Sequence, residues 1–279
     1  MSHAAARSIR SDTTAPWALL CFVVALIYVF SLGPILITAA VSFNETNRSL
    51  FPPQGWSLRW WERAFGPEWL QALSFSLKLS ALTAVLSTVL ALPLAFALHR
   101  YRFRGREALV ALALGPLMLP TLVTGVGLLQ MFQYAGLREH IGFGALLAGH
   151  LVICLPFAVR TVSISLQTLP PNVELAAASL GATRWDTLRH VVFPLIKSGL
   201  VAGAVFAFIH SFTDVNLSLF LARPGEQPIT VKILAFLEFG FAPTLAAVSV
   251  ITLILPLILV AVVERLSGLG DFIYGDRRA

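Results

Sequence analysis

Six histidines, two cysteines and fourteen acids are what this chain could use to build a reactive centre, and their spacing builds none. His3, His99, His140, His150, His190 and His210 are scattered, with no HExxH or HxxxH pair to grip a metal. Cys21 and Cys154 lie inside apolar runs, where a thiol is a small packing residue. No GxxxxGK[ST] run is present to cradle phosphates, so any ATP must be handled by another polypeptide. No catalytic residue, metal ligand or cofactor-binding residue is expected, and the chain is read as no enzyme. What remains are polar groups in unusual places: Asp214 between Thr213 and Asn216, and a run from Glu174 to Pro194 punctuated by small residues, charges and glycine.

Those residues must be positioned by elements that are mostly apolar. Hydrophobic residues make up 57% of the 279 positions and charged residues 12%, and mean hydropathy is +0.80. A water-soluble domain carries about 25% charge to wet its surface. Half of that leaves the chain partly in lipid. A net charge of +6 could suggest nucleic acid in a soluble protein, but here the basic residues cluster between apolar runs, as in cytoplasmic loops.

A spanning helix needs about 20 apolar residues. Six stretches are expected to cross: Trp17 to Val41, Gln71 to Leu98, Ala108 to Phe132, Phe143 to Leu166, Phe193 to Leu221 and Phe239 to Val263. The first exceeds the 7–15 residues of a signal-peptide core and is expected to be retained. Placing the N-terminus inside puts Arg7, Arg10, the cluster Arg100, Arg102, Arg104 and Arg106, then Arg160, Arg184, Arg189, Lys197, Arg265, Arg277 and Arg278 in the cytoplasm. Arg48, Arg59, Arg63, Arg138, Arg223 and Lys232 fall outside, and Lys78 lies within the second span. The excess favours both termini inside, hence an even number of spans. The expected fold is an all-α, six-helix membrane bundle. Its parts are a cytoplasmic tail over 1–16, a membrane domain over 17–264 and a second cytoplasmic tail over 265–279.

Prolines 93, 116, 120 and 156 interrupt the spans, reading as kinks or as helices that bend around a pathway. The outer loop from Ser42 to Leu70 carries Trp56, Trp60 and Trp61, expected at the membrane interface. Over 167–192 the inner loop is long and structured. Asn172 is a candidate cap with Glu174 in the first turn; Leu175 to Leu180 favour helix, and Thr183 can cap a second piece before Pro194.

That inner loop resembles the cytoplasmic signature of ATP-binding-cassette importer permeases: Glu-Ala-Ala, three residues, Gly, nine residues, then Ile-x-Leu-Pro. Here Leu175-Ala176-Ala177 precedes three residues and Gly181, and nine more lead to Val191-Val192-Phe193-Pro194. Leu175 stands where the pattern has glutamate, with Glu174 one position earlier. The segments Ser42-Phe43-Asn44, Phe51-Pro52-Pro53, Gly55 to Trp61 and Ser211-Phe212-Thr213-Asp214 are similar to spermidine/putrescine-type permeases in particular. In that pattern Thr213 replaces an aspartate.

The resemblance implies a permease of the type I importer kind. It implies two ATPase subunits that bind the ATP, a second homologous permease, a soluble solute-binding protein and surrounding lipid as partners, with no nucleic acid. It also implies a bacterial inner-membrane location. The loop then forms a short coupling helix in a groove of the ATPase, with Glu174, Ala176, Ala177, Gly181, Arg184, Asp186 and Pro194 as its residues. The cargo implied is a polyamine, with ferric iron, a phosphonate or another small solute as alternatives; a secondary transporter without ATPase is the other class. Asp214 sits about 30 Å along the fifth span. It is either part of an outer vestibule for a cationic solute, together with Thr213 and Asn216, or a structural hydrogen-bonding acid at the helix end, and both readings stay open.

Overall fold

The computed structural model describes residues 14–170, 172–238, 240 and 242–267. The expected terminal tails, with Arg7, Arg10, Arg277 and Arg278, lie largely or wholly outside them. Helices follow one another along the chain as α1 (Thr14–Val41), α2 (Arg59–Ala64), α3 (Pro67–Arg100), α4 (Arg106–Leu114), α5 (Thr121–Tyr134) and α6 (Phe143–Gln167). They continue as α7 (Val173–Ser179), α8 (Arg184–Thr187), α9 (Phe193–Thr213), α10 (Ser218–Leu221), α11 (Ile229–Leu237) and α12 (Pro243–Ser267). The described residues divide into two compact units, one within 1–64 and 240–251, the other within 65–239 and 252–279.

Among the described residues, five helices are long and apolar enough to cross a membrane. The third expected span is not a single helix. α4 runs through a 3-10 turn at Gly115–Met118, and α5 then leaves at 111°. The cause is local. Leu119 precedes Pro120 and takes an extended conformation (φ −95°, ψ 136°), as the proline ring demands of its neighbour. Pro120 then sits at the cap position of α5. A sixth crossing exists only if this bent pair counts as one. The fifth expected span stops at Thr213 rather than Leu221, because Asp214 is extended (ψ 135°). The sixth starts at Pro243, and Phe239 lies outside the described residues.

In the first unit, Asn44 organises the expected interfacial loop. Its side-chain amide donates to the carbonyls of Arg48 (2.9 Å) and Leu50 (3.3 Å), and its carbonyl oxygen accepts from the Gln54 amide. Trp60 is buried and donates its indole N–H to the Asn44 backbone carbonyl at 2.6 Å, while Trp56 is exposed. One of the three expected interfacial tryptophans is therefore a core residue of the loop.

In the second unit, α3, α6 and α9 pack against one another. Their contacts use small side chains, as helices in lipid require for close approach. A Cβ on Gly203 of α9 would stand 2.6 Å from Thr161 Oγ1 and 3.3 Å from Ala158 Cα on α6. Ser76, Ser80, Thr83 and Ser87 form a buried face of α3 at helical spacing. Toward the loop end, Ala95, Val162, Leu166, Val192 and Ile196 close an apolar cluster that fixes where the inner loop leaves and rejoins the bundle.

Candidate functional site: the α7–α8 loop and the far end of α9

The inner loop is built as two braced helical turns. α7 starts after Asn172, whose side chain makes no capping bond, contrary to expectation; its backbone carbonyl accepts from Ala176 N at 2.9 Å. The brace at this end is ionic instead. The Glu174 carboxylate is paired with the Arg100 guanidinium at the last residue of α3. Arg106 holds the same helix end, donating from Nε and Nη2 to the Leu98 carbonyl at 3.0 and 2.9 Å.

Gly181 ends α7 with φ +84°. Ala182 N donates to Ala177 O (3.1 Å) and Gly181 N to Ala178 O (2.9 Å), the pair of bonds that closes a helix with a left-handed residue. Only the backbone needs glycine here, because a Cβ would meet nothing within 4 Å. α8 opens with a reciprocal cap: Thr183 Oγ1 accepts from Asp186 N (3.2 Å), and Asp186 Oδ2 accepts from Thr183 N (3.2 Å). A wide turn at Leu188–Val192 carries α8 into α9. It lies directly ahead of Pro194, whose ring would otherwise clash with the carbonyl four residues back and which has no N–H to give.

The loop residues named from sequence divide by direction. Glu174 is occupied by Arg100, and Ala177 is buried. Asp186 is used in the cap. Ala176, Gly181, Arg184 and Pro194 are exposed. Sequence reasoning missed the dominant feature of the outward face, three large apolar side chains: Leu175 (66% exposed), Leu180 (89%) and Trp185 (63%). The available signal was Leu175 itself, an apolar residue where the loop pattern calls for an acid.

At the other end of α9, Asp214 is buried, while Thr213 and Asn216 are exposed. Asp214 Oδ2 accepts from both the amide and the hydroxyl of Ser218, each at 2.9 Å, and so holds α10. Its backbone carbonyl accepts from Thr230 Oγ1 at 2.7 Å. His150 of α6 is fully buried between the hydroxyls of Ser211 (2.6 Å from Nδ1) and Ser218 (2.9 Å from Nε2). These contacts do not bring the carboxylate together with the exposed Thr213 hydroxyl, which donates to Ile209 O. Asn216 instead reaches Thr121 of α5 at 3.4 Å. The segment after α10 is stitched to the start of α6 and the turn before it: Glu226 Oε2 accepts from Phe143 N at 2.9 Å, and Arg223 donates to the Arg138 carbonyl.

Five helices long and apolar enough to cross a membrane, with one further pair bent at Leu119–Pro120, are those of a polytopic membrane protein. Residues 87–268 match the family of binding-protein-dependent transport system inner membrane components. The chain is 33% identical over 235 residues to the spermidine/putrescine transport system permease protein PotC of Escherichia coli (strain K12), covering 84% of this chain and 88% of that one. It is 26% identical over 247 residues to the putrescine transport system permease protein PotI of the same strain, covering 86% of each. Its fold matches a bacterial alginate ABC transporter solved in complex with an alginate pentasaccharide-bound periplasmic protein, at TM-score 0.71 and 16% identity over 92% of this chain and 96% of that one.

The chain belongs to the binding-protein-dependent transport system inner membrane component family. It is a multi-pass inner-membrane permease subunit of an ATP-binding-cassette importer.

Proposed function

We propose that this chain, with a second homologous permease, forms the membrane pathway of a polyamine importer. A pair of separate ATPase subunits docks on its α7–α8 loop, and a soluble binding protein delivers cargo at the opposite face. The ATP is bound and hydrolysed on those subunits, and both termini of this chain face them. The observation that carries the reading is the exposed apolar triad Leu175, Leu180 and Trp185 on a loop otherwise fixed by an ion pair, a glycine stop and a capping box. Free loops in water do not hold two leucines and a tryptophan outward without something to cover them. Rigid backing lets a push on that face move the bundle instead of the loop.

Mechanically, the permease alternates between two arrangements, and ATP binding favours one of them by drawing the two loops of the permease pair together. Arg100–Glu174 passes the displacement to α3, and the unbroken helical path from Arg184 passes it to α9. The likeness to the polyamine permeases over most of both chains supports a polyamine cargo.

Co-expression with the ATPase tests the docking assignment. Wild type should co-purify with it, while Trp185→Asp and Leu180→Asp should lose it and keep their own yield in detergent. Retained association in both variants would move the docking surface elsewhere.

A further inference from the structure

Lys232 of α11 sits in a box that has the chemistry of an ammonium receptor. Its Nζ lies 5.2 Å from the Trp69 ring centroid and 6.0 Å from that of Phe236, and these two rings are 4.8 Å apart. The same nitrogen donates to the Glu68 backbone carbonyl at 2.6 Å and stands 3.9 Å from the Glu68 carboxylate. Ring faces, a carbonyl and a carboxylate around one nitrogen attract a cation in preference to a neutral group of the same size. Trp69 is only 3% exposed.

Lys232 is not what fixes α11. The helix start is held separately, by Ile229 N donating to Ser76 Oγ of α3 at 2.7 Å. The lysine side chain, 16% exposed, can leave the box without releasing the helix. The box also lies at the first turn of α3, at the end opposite Arg100 and the docking loop.

We propose that Glu68, Trp69 and Phe236 form a binding site for a primary alkylammonium, shut in this conformation by Lys232 as an internal surrogate. The lysine side chain is a four-carbon stem ending in an ammonium. The amine end of a linear polyamine presents the same group, so an incoming cargo amine displaces Lys232 by exchange of like for like. This inference rests on the polyamine reading for its natural ligand, but not for its chemistry.

The test uses the purified importer complex without its binding protein, and n-butylammonium as probe with 1-butanol as the neutral control. Lys232→Ala empties the box and should tighten butylammonium binding about tenfold, with no such gain for 1-butanol. Lys232→Met refills the space without charge and should show no gain. Adding Glu68→Gln to Lys232→Ala should reverse most of it. An assembled Lys232→Ala complex with no gain, or with an equal gain for 1-butanol, overturns the proposal.

If Lys232→Ala does not assemble, the unaltered complex decides. Butylammonium should raise the melting temperature of the unaltered complex above that in equal 1-butanol, Glu68→Gln should remove most of the difference, and no difference overturns the site. Putrescine uptake by the wild type is scored separately. Uptake with no butylammonium gain sinks the box alone, whereas a butylammonium gain with no polyamine uptake sinks the cargo reading alone.

Discussion

Glu174 of α7 is ion-paired with Arg100, the residue that ends α3, so the acid of the inner loop points back into its own chain rather than out toward a partner. Both side chains are about one-third exposed, and such a pair contributes only about 0.2–1 kcal/mol to stability. Its value lies in geometry. Glu174→Arg should leave the thermal midpoint within a few degrees of wild type, yet lower the cargo moved per ATP severalfold. The double charge swap Arg100→Glu with Glu174→Arg should restore most of that ratio, measured as uptake against phosphate release in the same vesicles.

The two alanines of the loop should separate cleanly. Ala177 is buried, so Ala177→Asp buries an unpaired charge and should cut yield of folded protein. Ala176 is exposed, and Ala176→Asp should give normal yield with weakened ATPase association. Equal behaviour of the two in size-exclusion chromatography and pull-down would count against the orientation of α7.

Trp185 is the largest of the outward apolar groups. Buried aromatic anchors at interfaces cost about 2 kcal/mol or more when truncated. Trp185→Ala should therefore weaken ATPase binding about thirtyfold in a titration with labelled subunit, without changing the permease's own melting temperature.

Gly181 tests backbone handedness apart from space. With φ +84° and no neighbour within 4 Å of a Cβ, Gly181→Asn should be mild. Gly181→Val should cost about 1–2 kcal/mol in the loop and loosen coupling. Gly203 tests the reverse, since its φ is ordinary and its space is filled. Gly203→Val should lower the melting temperature by an overpacking cost of about 1–3 kcal/mol, read by fluorescence melting in detergent.

Much of this architecture was legible in the residues. Long apolar runs located α1, α3, α6, α9 and α12, because a helix in lipid must carry its apolarity along its whole length. The spacing from Ala176 to Pro194 located the loop, because glycine stops and capping residues act within a few positions. What could not be read depends on residues distant in sequence. Arg100 meets Glu174 and Trp69 meets Lys232 only once α3 has packed, and the inward turn of Ala177 follows from where α7 rests. The prolines at 116 and 120 signalled a disturbance, but not that Leu119 would turn the chain through 111°. Asp214 stood out as an acid at a span's end, but its partner Ser218 could not be read until α10 had folded back beside it.

The most direct measurement is uptake of radiolabelled spermidine by vesicles holding this chain with its ATPase pair and partner permease, supplied with loaded binding protein. Saturable uptake that requires ATP, and that Trp185→Asp abolishes in this chain, is the predicted result. Spermidine entry that proceeds at the same rate without ATP would contradict a permease driven through the α7–α8 loop.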